Sequence, residues 1–147
     1  MTDNEEHTYN SLTLLGVYAY GLSYVLIGIS HFTHPSIFVP IVPEIIGFPE
    51  FWVYLSGIFE IALGLGLFFQ KTRYFSSLLI IAMLLVLYTA NINMWVNDIE
   101  FNGVKMTTNG HLFRASIQML LIYIAYWISK SSSKSSSFIT CTFLHQN

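Results

Sequence analysis

Four long apolar runs, separated by short polar or proline-rich stretches, set the pattern of this chain. No Asp, Glu, Lys or Arg occurs between Glu6 and Glu44, from Tyr74 to Asn97, or from Ala115 to Ser129. A helix that crosses a bilayer needs about 20 mainly apolar residues. Four windows meet or approach that length, at about 12–31, 51–69, 74–96 and 111–129. The pattern predicts an all-α fold, an integral membrane four-helix bundle over residues 11–129. Residues 1–10 are polar and acidic and are expected as a solvated tail. After Trp127 the chain becomes SKSSSKSSS, so 130–147 is expected as a flexible Ser-rich tail, too short in apolar residues for a further span.

The connections differ in kind. Between the first and second windows lies HFTHPSIFVPIVPEIIGFPE, where Pro35, Pro40, Pro43 and Pro49 remove backbone donors and interrupt regular helix. Its many Ile, Val and Phe residues suit a re-entrant or interfacial cap lying over one end of the bundle, since non-helical backbone at that depth must be covered. The second and third windows are joined by QKTRY, short enough to require an antiparallel hairpin. The third and fourth are joined by the polar NDIEFNGVKMTTNG, with Gly103 and Gly110 as turn residues.

Composition agrees with this reading. The chain has 147 residues, 54% hydrophobic and only 10% charged, against about a quarter charged in a soluble domain. Its mean hydropathy is +0.57. The net charge of -2 and the lack of a basic tract offer nothing to nucleic acid. A single cysteine, Cys141, excludes an internal disulfide or a C-x-x-C redox pair. The first window follows Asp3, Glu5 and Glu6 and is expected to remain as a span instead of acting as a cleaved signal. Lys71, Arg73, Lys130 and Lys134 fall on one side of the bundle, and Lys105 and Arg114 on the other. The positive-inside rule then places both termini in the cytoplasm and the Pro-rich cap outside.

One ionisable residue, Glu60, stands near the middle of the second window. A charge at mid-bilayer costs roughly 2.5–3.5 kcal/mol on insertion scales, so such residues face a bundle interior and a partner. Ser56, Gly57 and Gly64 share its helical face, and Gly21 and Gly28 share a stripe with Tyr24 and His31 in the first window; both faces allow close helix packing. Measured from the outer end at about 1.5 Å per residue, Glu60 lies roughly 13 Å deep, Gln118 roughly 10 Å and Asn91 roughly 7 Å, with Arg114 shallower. Glu60, Arg114, Asn91, Gln118 and His31 are thus expected to converge in a polar pocket in the outer half. The inner half reads as Leu, Ile, Phe and Ala, against a continuous pore. Arg114 is the expected partner of Glu60; paired, the carboxyl is ionised, and with Arg114 turned outward it is a neutral hydrogen-bond donor. Structural use of all five as links between helices is the competing reading.

Other chemistries have weaker support. His31, His34 and His111, with Glu44, Asp98 or Glu100, lack metal-site spacing, so no metal is expected. Haem would need two deep histidines on facing helices. Gly57, Gly64 and Gly66 form no nucleotide fingerprint.

The stretch GISHFTHPSIFVPIVPEIIGFPEFWVYLSGIFEIALGLGLFF, followed by TANINMW and RASIQMLLIYIAYW, resembles the DoxX family of small four-helix bacterial membrane proteins. The likeness covers nearly the whole membrane region. Family members usually carry proline before the Ala-Asn pair and within the Arg-to-Gln segment; this chain has Thr89 and no proline there, which implies straighter third and fourth helices. The resemblance implies a bacterial inner-membrane protein associated with redox systems, whose partner is a membrane or periplasmic oxidoreductase subunit; a homo-oligomer is a further expectation. Without a cysteine pair the chain differs from thiol-disulfide four-helix enzymes, and any redox role needs a quinone or a partner. We therefore expect a non-catalytic subunit with no intrinsic cofactor, whose outer-half pocket takes a lipophilic molecule such as a quinone. A structural or assembly subunit, a lipid-modifying acid-base enzyme using Glu60 and His31, and a proton-coupled transporter are the alternatives.

Overall fold

A computed structural model describes residues 3–144 of the chain, with side-chain surroundings for residues 11–132. Five helices carry it: α1 (Asp3–Thr33), the single turn α2 (Pro35–Phe38), α3 (Pro49–Phe68), α4 (Gln70–Val96) and α5 (Thr108–Leu144). Two 3₁₀ turns, Val39–Ile41 and Glu44–Ile46, lie between α2 and α3. Among the described residues there is no strand, only one isolated bridge between Phe101 and Val104. Four of the helices are long and apolar enough to cross a membrane, over Ser11–Thr33, Pro49–Phe68, Gln70–Val96 and Thr108–Ser132.

The helices run further than the apolar windows. α1 begins at Asp3, so residues 3–10 are helical. No glycine or proline interrupts them. α5 likewise continues through the Ser-rich stretch to Leu144, because nothing between His111 and Leu144 removes a backbone donor or adds a glycine. Gly110, expected in a turn, falls in the first turn of α5.

QKTRY is not a link. Phe69 alone separates α3 from α4, with extended backbone (φ -97°, ψ 125°), and the polar residues form the first turn of α4. From there they reach back over the end of α3: Thr72 Oγ1 donates to Gly66 O (2.7 Å) and Arg73 Nε to Leu67 O (2.9 Å). The orphan carbonyls of a helix end are thereby satisfied, with a cation where the dipole favours one. The Arg73 guanidinium also lies 5.8 Å from the centre of the Tyr18 ring on α1.

Packing is closest between α1 and α3. A Cβ on Gly21 would lie 2.9 Å from Gly64 O, and one on Gly64 would lie 2.7 Å from Gly21 O. Gly28 and Gly57 repeat this at 2.8 and 3.0 Å. The two contacts are two helical turns apart on each helix, as an antiparallel crossing requires. The apolar core fills the half of the bundle away from α2, with Val17, Tyr20 and Tyr24 of α1 against Leu63 and Leu67 of α3, Ile80 and Leu84 of α4, and Ala125 and Ile128 of α5. Polar groups also occur in that half, which is not purely apolar: Ser77 and Ser129 are buried there, each donating to the carbonyl three residues earlier.

The segment 34–48 crosses the opposite end, touching α1, α3 and α4. It is anchored where Asn93 Nδ2 donates to Ile41 O (3.2 Å), while Ile45 and Phe48 are 94% and 81% exposed. Facing it, residues 97–107 fold back through a two-residue turn: Asn102 and Gly103 both have positive φ, and Phe101 and Val104 exchange backbone hydrogen bonds. Asn-Gly is the pair that such a turn demands.

If the glycine contacts fix the α1–α3 distance, Gly64→Ala should destabilise the protein by about 1–3 kcal/mol, lowering its thermal midpoint in detergent. Gly16→Ala, whose Cβ would meet nothing within 4 Å, should leave the midpoint unchanged or slightly higher.

Candidate functional site

The five polar residues expected in one pocket are divided between two helix pairs. On α1 and α3, His31 Nδ1 lies 3.2 Å from Glu60 Oε2, and both residues are 5% exposed. Gly28 and Gly57 make this possible, since Gly28 leaves room for the Cβ of Glu60 and Gly57 for the Cβ of His31. The approach is an electrostatic contact and not a hydrogen bond. His31 Nδ1 is 2.9 Å from the carbonyl of Ile27, one turn earlier, and donates to it when it carries the hydrogen. Glu60 Oε2 is left as a buried oxygen with no hydrogen-bond partner. Ser56, on the same face of α3, spends its hydroxyl on Val53 O (2.9 Å).

On α4 and α5, Asn91 Nδ2 donates to Gln118 Oε1 (2.9 Å), and the Gln118 amide continues to the carbonyl of Leu84. Arg114 joins this chain and not Glu60. Its Nη2 donates to Asn91 Oδ1 (2.9 Å), its Nη1 lies 3.6 and 3.8 Å from the sulfurs of Met94 and Met106, and its guanidinium stacks 4.6 Å from the Phe101 ring centre. The expected Glu60–Arg114 ion pair is therefore absent among the described residues, where Glu60 has His31 and the other ion pair is the exposed Lys105–Asp98. The physical reason is what stands between them. Phe38 of α2 stacks on the His31 ring (3.9 Å, 14°) and meets Phe101 edge-on (6.3 Å), and Phe101 in turn carries Arg114.

Two aromatic rings, from the cap and from the 97–107 turn, thus separate an acid-imidazole pair from a guanidinium that has no carboxylate partner among the described residues. Neither ring was a candidate from the sequence, where Phe38 and Phe101 read only as apolar loop residues. Beside Arg114 a narrow cleft opens between α4 and α5, lined by Tyr88, Asn91, Ile92, Trp95 and His111, and it holds little more than a water molecule. At its rim Trp95 and His111 stack nearly parallel (5.4 Å, 4°). Below His31 and Glu60, the Tyr20 hydroxyl lies 3.5 Å from that of Tyr24 and donates to Leu121 O on α5 (2.8 Å). His34 is exposed and bonded to Thr33, and among the described residues no three His, Cys, Asp or Glu side chains are disposed to hold a metal ion.

A family model described as a domain of unknown function (DUF8561) matches residues 20–129, and the chain belongs to that family. No curated protein and no solved structure matches it.

Double-mutant cycles in detergent unfolding check the division. The Asn91→Ala and Gln118→Ala pair should couple by about 0.6–1.7 kcal/mol, the range of hydrogen bonds between membrane helices. Glu60→Gln and Arg114→Ala should be additive within about 0.5 kcal/mol. A Glu60–Arg114 coupling as large as that of Asn91 and Gln118 would contradict the separation.

Proposed function

We propose that this DUF8561 protein is a bacterial plasma-membrane protein that crosses the bilayer four times, with both termini in the cytoplasm, and serves as a non-catalytic, DoxX-like subunit that holds a lipophilic molecule such as a quinone for a partner oxidoreductase. Membrane insertion is supported by the four long apolar helices and by the apolar side chains they turn outward, among them Leu15, Leu26, Leu79, Val86 and Leu120. Orientation follows from the greater number of Lys and Arg residues on the terminal side.

The observation that carries the ligand reading is Arg114. It is a half-buried cation with no carboxylate paired to it among the described residues, placed on a cleft walled by the rings of Tyr88, Trp95 and His111. Such a group in an apolar surround favours an oxygen acceptor, because each hydrogen bond to a charged donor contributes about 1.5–3 kcal/mol. A flat carbonyl-bearing ring would slide between Trp95 and His111, parting their stack, and accept from Arg114 and Asn91 while its tail leaves between α4 and α5 into lipid. Glu60 and His31 lie behind Phe38 and Phe101 and do not contact such a ligand.

An assembly role is the second reading. It is favoured by the closed hydrogen-bond chain of Asn91, Gln118 and Leu84 and by the narrowness of the cleft, both of which suit residues that link helices.

Mass spectrometry of lipophiles extracted from protein purified in nanodiscs separates the two. The ligand reading expects a quinone with the wild type, held about tenfold or more weakly by a folded Arg114→Ala variant and normally by Glu60→Gln. A wild type that carries no lipophile and instead crosslinks through its cap to another protein would establish the assembly role. Orientation is checked at Cys141, the single cysteine: a membrane-impermeant maleimide should label it in permeabilised cells and leave it unlabelled in intact ones.

A further inference from the structure

His31 and Glu60 are left unused by the lipophile reading, and their surroundings differ from those of the other buried polar groups. Asn91, Gln118, Ser77 and Ser129 all have hydrogen-bond partners, whereas Glu60 Oε2 is sealed from solvent without one. The elements packed near the pair bring it no compensating charge among the described residues. α1 supplies His31 itself and the phenol of Tyr24. α3 supplies small and apolar neighbours, Gly57, Ile61 and Gly64. The cap supplies Phe38, and the 97–107 turn supplies Phe101, behind which Arg114 is turned toward Asn91. Among the described residues no Lys or Arg forms an ion pair with Glu60.

The pair must therefore balance its charge internally. With its hydrogen on Nδ1, the imidazole donates to the Ile27 carbonyl. One further proton then makes the pair neutral overall, carried either at Nε2 as an imidazolium facing a carboxylate, or on the carboxyl of Glu60 beside a neutral imidazole. Release of that proton to water leaves a net charge of minus one inside an apolar enclosure, and its return cancels the charge. A carboxyl that merely ties helices together would spend its oxygens on fixed donors; this one faces an imidazole.

The pair lies at the cap end of the bundle. His31 is in the last turn of α1, directly beneath Phe38. Beside Phe38 and Phe101, an open cleft of about 360 Å³ lies between the cap and the turn, lined by Ser36, Ile37, Pro40, Glu100 and Asn102 among others. In the other direction the polar path stops, because Tyr20 gives its hydroxyl hydrogen to Leu121 O and the core beyond it is closed by Leu67, Ile80 and Ile128, at most 1% exposed.

We propose that His31 and Glu60 form a proton-exchange site that loads and releases one proton from the cap side, separately from any lipophile bound at Arg114. The test is NMR of the full chain in nanodiscs, with ¹⁵N-labelled histidine and carboxyl-¹³C-labelled glutamate, followed through a pH series. The His31 imidazole signals or the Glu60 carboxyl signal should titrate. The midpoint seen at one residue should move by about one unit or more when the other is replaced, with Glu60→Gln and His31→Asn as the variants. Two results would overturn the site: both signals constant over the whole range in which the wild type stays folded, or a midpoint at one residue indifferent to substitution of the other. The wild-type titration is decisive in the first case even if a variant does not fold.

Discussion

Backbone lies on backbone where α1 crosses α3, and the remaining geometry follows from that contact. At Gly21 with Gly64, and again at Gly28 with Gly57, the Cβ of any other residue would press on a carbonyl oxygen of the facing helix. Between helices that turn apolar faces to apolar surroundings, close van der Waals packing of this kind drives association more than burial from water does. It also decides where the acid goes. With the helices this near, a carboxylate on α3 and an imidazole on α1 cannot avoid each other, and Glu60 is committed to His31 before any more distant partner can compete.

The consequence is that the buried carboxyl of Glu60 and the half-buried guanidinium of Arg114 do not meet. Transfer of an ionised group into an apolar medium costs several kcal/mol even after relaxation, so an unpaired Glu or Arg would each be expensive. The fold handles them by different means. Glu60 is set against a titratable group, whereas Arg114 is spread over an aromatic face, an amide oxygen and two thioethers. In the proposed reading the first arrangement responds to protons, and the second to oxygen acceptors. Phe38 and Phe101, contributed by loops from the two ends of the sequence gap between α1 and α5, keep the arrangements apart while touching both.

Much of this was legible in the sequence. Apolar runs of about span length announced four long apolar helices, and the glycines that meet at the α1–α3 crossing stood on shared faces at helical spacing. Asn91 and Gln118 were placed at neighbouring depths and do bond to each other. The Glu60–Arg114 pairing failed because helical rise gives depth but not position around a bundle; two residues at similar levels can lie on opposite helix pairs. The rings that separate them come from loops, where no periodicity marks which side chain turns inward. Polar residues at element ends misled in another way. QKTRY and the serines after Trp127 have the composition of links, yet without proline or glycine their backbone continues as helix, and Thr72 and Arg73 become caps.

The bundle is made of consecutive hairpins: α1 with α3, then α4 with α5, joined covalently through Phe69 alone. Membrane helices are thought to insert individually and associate afterwards. Here the order of synthesis matches the order of association, since the partner of α1 is the next long helix to leave the ribosome and the same holds for α4. His31 and Glu60 can meet as soon as the first half of the chain exists. The second half, with Arg114, closes over a buried acid that has already found its neighbour, so during biogenesis the isolated carboxyl need not wait for a distant cation to be made.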